Sequence, residues 1–346
     1  VIVPATSPVT LADVARRAGV SSATASRVIN GSAKPVDEAL RRRVVKAVEE
    51  LRYVPNAQAR MLARAERGAV GVIVHDVSDP YFAEITRGLQ RVAIERGTLL
   101  VICNSYRDPV REREYVELLS GQRVAAIVLA GSGYHDPAAT RDLNASLRQY
   151  QDGGGRVAVI GRHELIGDAI QPDNTDGARE LGEHLTGLGH RVLGVIAGPK
   201  ELTTTTDRLG GLRSALKAAK LTLPATRVAY GDFTRDSGAR AAAELLDAYP
   251  AITAIVAMND SMAIGALATA RARGLTVPAD LSVVGFDDMP IAQDVTPALT
   301  TVRLPLVEMG ARALTLALGT HSSGQRLIES APATVVVRDS AAPPRA

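Results

Sequence analysis

Thr10-Leu11-Ala12-Asp13-Val14-Ala15-Arg16-Arg17-Ala18-Gly19-Val20-Ser21-Ser22-Ala23-Thr24-Ala25-Ser26-Arg27-Val28-Ile29-Asn30 decides how the N-terminal region folds. Thr10 followed three residues later by Asp13 is a capping-box pattern, which opens a helix by satisfying free backbone N–H groups. Leu11, Val14, Ala15 and Ala18 recur at helical spacing and form one apolar face. Gly19 ends that helix. Ser21 can cap a second one over Ser22–Asn30, with Ala25, Val28 and Ile29 inward and Gly31 as its stop. A third helix is predicted from Asp37 to Leu51, facing inward with Leu40, Val44, Val48 and Leu51. Helix, glycine-containing turn, helix is the helix-turn-helix arrangement.

Outward from this head, Tyr53-Val54-Pro55 interrupts the pattern. Asn56-Ala57-Gln58-Ala59-Arg60-Met61-Leu62-Ala63 then reads as a two-turn helix capped by Asn56. A helix shorter than about 12 residues is marginal alone, so this one is expected to need a partner. From Val70 the texture changes. Apolar runs at Val70–Val74, Thr98–Cys103, Ala125–Leu129, Val157–Ile160, Val192–Ile196, Ala254–Ala257 and Ser282–Val284 alternate with amphipathic stretches. Examples of the latter are Phe82–Arg96, Arg111–Ser120, Gly177–Leu188, Leu209–Ala219, Ser237–Tyr249 and Ser261–Arg273. That alternation predicts doubly wound α/β layers with parallel sheets. The strands are too many for one small sheet, so two similar lobes are expected. A short strand at Thr301–Arg303, a helix at Val307–Leu318 and a strand at Thr334–Arg338 close the chain.

Charge separates the two regions. Residues 1–67 carry 12 Lys/Arg against 6 Asp/Glu, whereas the rest carries 28 against 31, so the head alone is suited to a polyanion. No run of about 18 apolar residues suggests a membrane span. Val1–Pro8 lacks the basic start and long apolar stretch of a secretory signal. The single cysteine, Cys103, cannot form an intramolecular disulfide, argues against a cysteine-rich metal site, and fits a reducing cytoplasm. Enzyme signatures are missing. Gly131-Ser132-Gly133 lacks the third glycine of a dinucleotide fingerprint, because position 136 is Asp136. There is no P-loop, nucleophile elbow or His-Glu-x-x-His. The six histidines are scattered, and His190 reads as structural. Neither a cofactor nor a metal is expected. A periplasmic sugar-binding protein would share the core but not the basic head.

The run from Val9 to Asn30 resembles the head of the lactose-repressor (LacI) family. Further matches follow in the family's order: Tyr53-Val54-Pro55-Asn56, Leu188-Gly189-His190-Arg191, Asn259-Asp260, and Val283-Val284-Gly285-Phe286-Asp287-Asp288. The resemblance spans nearly the whole chain. It implies a helix-turn-helix DNA-binding domain at 1–55, a hinge helix and linker at 56–68, and a two-lobed periplasmic-binding-protein-like core at 69–346. The chain is expected to cross between the lobes near 171, 299 and 329. It further implies a transcriptional repressor acting as a homodimer on a pseudo-palindromic duplex operator, under the control of a small-molecule effector.

A recognition helix reads base edges with its first outward residues. Here these are Ser22, Ala23, Ser26 and Arg27. Arg27 can bond guanine bidentately, the commonest specific contact. Thr10, Ser21, Thr24, Asn30 and Tyr53 resemble the family's phosphate contacts, although the hydroxyl residues among them equally serve as helix caps. In the family a hinge leucine wedges between central bases, and Leu62 holds that position with Asn56 at the family spacing. Gln58 and Met61 depart from the commonest hinge residues.

Ligands of open α/β sheets sit beyond the carboxyl ends of strands. In the first lobe those ends are His75–Phe82, Asn104–Ser105 and Ala130–Gly133. The resemblance places effector contacts in the second lobe at Arg208, Asn259 and Asp287, with an aromatic at Phe233. That set suits a polyol, because Arg donates a rigid fork, Asp accepts paired hydroxyls, and an aromatic face covers sugar C–H groups. A sugar is therefore expected ahead of a nucleoside or purine. Tyr81-Phe82 either adds a second ring or begins a core helix. Asp287 either binds ligand or caps a helix near Pro290. Arg162 is a further effector-contact candidate, with Gly161 where the family often has a polar residue.

Overall fold

A computed structural model describes residues 9–30, 36–54, 68–319 and 326–345. The hinge residues Asn56 and Leu62, and the helix expected around them, lie outside these residues, as does Gly31. The chain divides between Gly68 and Ala69 into two compact units.

The first unit contains α1 (Leu11–Ala18), α2 (Ser22–Asn30) and α3 (Glu38–Leu51). The capping box is present: Asp13 N–H donates to the Thr10 hydroxyl at 3.3 Å, and Thr10 N–H donates to the Asp13 carboxylate at 2.9 Å. Gly19 terminates α1 with φ of 65°, a left-handed conformation in which a side chain is strained. Ser21 caps α2 by accepting from Thr24 N–H at 3.1 Å. Asp37 is the cap of α3 and not its first residue, since it accepts from Ala39 and Leu40 N–H. Val14, Ala15, Ala18, Ala25, Val44 and Ala47 form the buried centre, with Val28, Ile29, Val48, Leu51 and Tyr53 packed around it. A small core of this kind suffices to fix three short helices that would not persist separately.

The second unit opens with β1 (Val70–Val74), α4 (Pro80–Glu95), β2 (Leu100–Asn104), α5 (Pro109–Gly121), β3 (Ala126–Ala130), α6 (Pro137–Asp152), β4 (Arg156–Ile160) and β5 (Asp168–Pro172). It continues with α7 (Asn174–Gly187), β6 (Leu193–Ala197), α8 (Thr203–Ala218), β7 (Val228–Tyr230), α9 (Arg235–Ala248), β8 (Ala254–Ala257), α10 (Asp260–Ala272) and β9 (Ser282–Val284). It ends with β10 (Thr301–Arg303), α11 (Leu306–Leu318), β11 (Ile328–Ala331) and β12 (Thr334–Val336). Two parallel sheets result, in the orders β11-β5-β4-β3-β1-β2 and β7-β6-β8-β9, while β10 and β12 pair antiparallel. Strands buried on both faces explain the unbroken apolar runs of β1 and β3, in which every residue is buried.

The chain leaves the first sheet after Pro172, returns from β10 into α11, and leaves again after β11. α11 docks on α4, and the contact is close because Gly88 leaves room for the Val307 carbonyl, where a Cβ would collide. Three connections between lobes form a hinge on which a cleft can open and close.

Several elements differ from the sequence reading. The strand expected from Thr98 begins at Leu100, because Thr98 N–H still closes on the Ala93 carbonyl of the preceding helix end. α8 begins at Thr203, six residues before the apolar periodicity shows itself. Its first turn is Thr203-Thr204-Thr205-Thr206, which has no helical hydropathy signal. α6, β5, β7 and β11 had no clear signature: β7 has three residues, and β5 and β11 contain Asp, Gln, Glu or Ser between their apolar positions.

Candidate DNA-reading surface and effector cleft

On the head, Ser22, Ala23 and Arg27 are exposed along one side of α2, while Thr24 and Ser26 are half-buried. Among the described residues Arg27 makes no ion pair, and its side chain is exposed. Thr10 and Ser21 both act as caps: the Thr10 hydroxyl also donates to Asp13 at 2.6 Å, and the Ser21 hydroxyl lies 2.9 Å from that of Thr24. Tyr53 is half-buried against the head's core. Asn30 closes α2. Arg41 and Arg42 lie exposed on α3, and Arg43 donates to the Gly19 carbonyl at 2.9 Å.

In the second unit, a cleft of about 390 Å³ opens at the carboxyl ends of both parallel sheets. Its first-lobe wall carries His75 after β1, Asp79, Tyr81 and Phe82 at the start of α4, Arg107 after β2, and Ser132 after β3. Its second-lobe wall carries Thr204 and Arg208 on α8, Phe233 after β7, Asn259 after β8 and Asp287 after β9.

The second-lobe wall is tightly wired. Arg208 is buried and donates from Nε to Asn174 at 2.8 Å, from Nη2 to Asp287 at 2.8 Å, and from Nη1 to the Met258 carbonyl. Its guanidinium lies 3.8 Å from the centre of the Phe286 ring. Burial pushes the Asp287 carboxyl up to about 7, against the pull of Arg208. Asp287 has φ of 109°, a strained conformation held by its neighbours: its N–H donates to Val302 and its carbonyl accepts from Leu304. It does not cap the short helix at Pro290, which has no side-chain cap. Beneath this turn, Asp260 is fully buried, accepting from the Thr301 hydroxyl at 2.6 Å and from Met289 N–H at 2.7 Å. Asp288 is paired with Arg303 and Arg338. Asn259 caps α10 through Met262 N–H at 2.9 Å and donates to the Phe233 carbonyl at 3.0 Å, thereby fixing the aromatic residue that it neighbours.

Tyr81 and Phe82 do both things the sequence allowed. They begin α4 under an Asp79 cap, stand edge to face with centroids 5.0 Å apart, and line the cleft. Behind this wall, Glu112 accepts from Ser105 at 3.1 Å and from Tyr134 at 2.9 Å, and lies 3.4 Å from His75. Burial works to raise the Glu112 carboxyl, but His75 and Tyr134 hold it below the ordinary range.

Arg162 is not brought into the cleft, which corrects the expectation of an effector contact there. It makes a bidentate pair with Asp207 at 2.8 and 2.7 Å. Asp207 immediately precedes Arg208, and successive helical residues point about 100° apart. Arg162 is therefore drawn to the neighbouring face of α8, where it lines a second, separate hollow. His75, Asp79 and Ser132 fall within the strand-end segments that the sequence reading named, whereas Arg107 and Thr204 were not anticipated. Arg107 lies just beyond the Asn104–Ser105 segment, and Thr204 sits in the first turn of α8.

A helix-turn-helix head followed by a two-lobed α/β core with a polar, aromatic-lined cleft defines a ligand-responsive DNA-binding regulator. Comparison with known proteins makes the class specific. Residues 10–56 match the model of the lacI family of bacterial regulatory proteins, and residues 183–341 match that of a periplasmic binding protein-like domain. The chain is 38% identical to the HTH-type transcriptional regulator GalR of Escherichia coli K12 over 311 residues, 89% of this chain and 88% of GalR. Among solved structures, the CelR–cellobiose complex shares 33% identity with a TM-score of 0.71, covering 96% of this chain and 99% of that one. The lac repressor dimer bound to operator and the anti-inducer ONPF shares 28% identity with a TM-score of 0.82, covering 97% and 99%. The chain belongs to the LacI family of transcriptional regulators. Among the described residues no helix is long and apolar enough to cross a membrane.

Proposed function

We propose that the protein is a cytoplasmic, non-enzymatic repressor that reads a pseudo-palindromic operator as a homodimer and alters its hold on DNA when a sugar occupies the cleft. The observation that carries this reading is the cleft itself, where aromatic faces at Tyr81 and Phe233 flank the buried Arg208–Asp287 pair at the strand ends of two hinged lobes. Aromatic faces for C–H groups beside charged hydrogen-bonding groups are what a polyol requires. The cellobiose-bound relative supports the same ligand class.

In this reading residues 1–55 are the DNA-binding domain, 56–68 the hinge and 69–346 the effector and dimerisation core. Arg27, with Ser22, Ala23 and Ser26, reads bases. Thr10, Ser21, Thr24, Asn30, Tyr53 and Asn56 meet the backbone, and Leu62 wedges the minor groove. Tyr81, Phe82, Arg208, Phe233, Asn259 and Asp287 serve the effector. A dimer is supported by β2, an unpaired sheet edge on which Val101 and Ile102 are exposed, with Ile94, Leu99 and Leu118 exposed nearby. Bare apolar edges of this kind call for a partner strand or surface.

The test is fluorescence anisotropy on an operator selected from random duplexes, across salt concentrations and with a panel of sugars. Arg27→Ala is expected to weaken the selected operator by about 1–3 kcal/mol while sparing nonspecific duplex. Equal operator affinity for both proteins, or a complete lack of response to any sugar, contradicts the reading.

A further inference from the structure

The cleft contains two arginines in opposite states. Arg208 has every nitrogen bonded to the protein. Arg107, on the facing wall, makes no hydrogen bond among the described residues, and its Nε is buried without a partner. Its nearest carboxylate oxygen, on Asp79, is 4.0 Å from Nη2, too far for a hydrogen bond. The other Asp79 oxygen already accepts from Tyr81 N–H. The Asp287 carboxylate that faces the cleft is committed to Arg208. A guanidinium left in this condition, only 23% exposed, is costly unless something else bonds it.

The backbone is shaped to put it there. Tyr106 and Arg107 have φ of 53° and 60°, two successive left-handed residues that are not glycine. Strain of this kind persists where surrounding structure enforces it, here through Tyr106 N–H donating to the His75 carbonyl at 2.7 Å. The turn carries the guanidinium across the cleft to 5.5 Å from the Phe233 ring of the other lobe.

We propose that Arg107 is the anion-reading residue of the effector site, and that the effector is an anionic sugar whose carboxylate or phosphate bonds the Arg107 guanidinium. This rests on the reading of the cleft as a sugar site and names the class of sugar. Planar, two-pronged donation matches a carboxylate or phosphate geometrically, and both are stronger partners than a neutral hydroxyl. Because Arg107 belongs to the first lobe and lies over an aromatic of the second, an anion bound there bridges the lobes. Burial also raises the Asp79 carboxyl, which weakens its competition for Arg107.

The experiment is calorimetric titration of the full chain with matched sets: neutral hexoses, their uronates and aldonates, and their 6-phosphates. The wild type is expected to bind one anionic series at least about tenfold more tightly than the neutral parents, the scale of one charge-assisted hydrogen bond. Whether the acids or the phosphates are preferred identifies the source of the charge. Arg107→Gln should collapse that preference, costing the anionic series at least about tenfold more than the neutral sugars, and Arg107→Lys should restore part of it. Unchanged operator affinity in the absence of sugar checks that each variant folds. If Arg107→Gln does not fold, retention of a weakened anion preference by Arg107→Lys decides the matter. Equal binding of neutral and anionic sugars by the wild type, or equal losses for both in Arg107→Gln, overturns the proposal while leaving the sugar reading intact. Failure of every sugar to bind overturns both.

Discussion

The two walls of the cleft use similar residues to opposite ends. On the second-lobe wall, Arg208, Asp287, Asn174 and Asn259 are bonded to one another or to backbone, and Phe233 is fixed through its own carbonyl. On the first-lobe wall, Arg107 has open donors and comes from a strained turn, and Tyr81 projects from the first turn of α4. One wall is a preassembled cradle that needs no rearrangement to receive a ligand. The other carries groups whose partners are still to come. A preorganised wall supplies affinity at low entropic cost, and an uncommitted one supplies discrimination.

This contrast is broken most sharply by asking which wall the fold depends on. Asp287→Ala leaves the Arg208 guanidinium buried without its carboxylate, and is expected to destabilise the core by about 3–5 kcal/mol. Arg107→Ala removes a guanidinium with no hydrogen bond among the described residues, held only by a 4.0 Å approach to Asp79 and by the Phe233 ring, and is expected to cost less than about 1 kcal/mol. Urea denaturation of both variants at one pH makes the comparison. Similar losses for the two would show that Arg107 is structural and that the walls are not different in kind.

The same contrast explains what the sequence revealed. The three-helix head was legible because caps and apolar faces lie within a few residues of each other, as with Thr10 and Asp13 in α1 and Ser21 and Thr24 in α2, although the sequence pattern places Asp37 as the first residue of α3 and not as its cap. The parallel-sheet core was legible from the doubly buried runs of β1, β3, β6 and β8. Arg208, Asn259 and Asp287 stand in family motifs, so resemblance found them. Resemblance could not tell that Arg208 and Asp287 are paired with each other, or that Asn259 is committed to the backbone of Met262 and Phe233. Arg162 was misplaced because its partner, Asp207, lies 45 residues away in sequence. Arg107 was missed because nothing local distinguishes it from any other loop arginine. Its significance comes from the left-handed backbone and from the missing partners, which only three-dimensional placement can expose.

The wiring of the second wall can be sharpened through pH. The Asp287 carboxyl is raised to about 7 in the folded protein, whereas in the unfolded chain it titrates near the ordinary aspartate value. Between those two values the folded state holds a proton that the unfolded state has lost, so this group's contribution to stability falls as pH rises from about 4 to 7. The difference in unfolding free energy between the wild type and Asp287→Asn should follow that direction, because the amide cannot titrate. A difference that is flat across the range would show that the carboxyl stays ionised throughout and that Arg208 outweighs burial.

The smallest effect concerns the place where the walls meet. Arg162 and Asp207 join the first lobe to α8 beside the cleft, reinforced by the Thr203 hydroxyl donating to the Arg162 carbonyl at 3.0 Å and the Ser132 hydroxyl donating to Thr204 at 2.6 Å. Arg162 is 44% exposed and Asp207 16%, so solvent screens the pair and its worth is about 0.2–1 kcal/mol. It links two bodies that move on a hinge, so breaking it should bias the lobes toward the open arrangement. A ligand that binds both lobes must then spend that difference on closure. A double-mutant cycle with Arg162→Ala and Asp207→Ala, read on effector Kd, should therefore show a coupling within that range, a change of roughly fivefold or less. A coupling above about 2 kcal/mol would mean that Arg162 and Asp207 touch the effector after all, and the cleft would then extend to the outer face of α8.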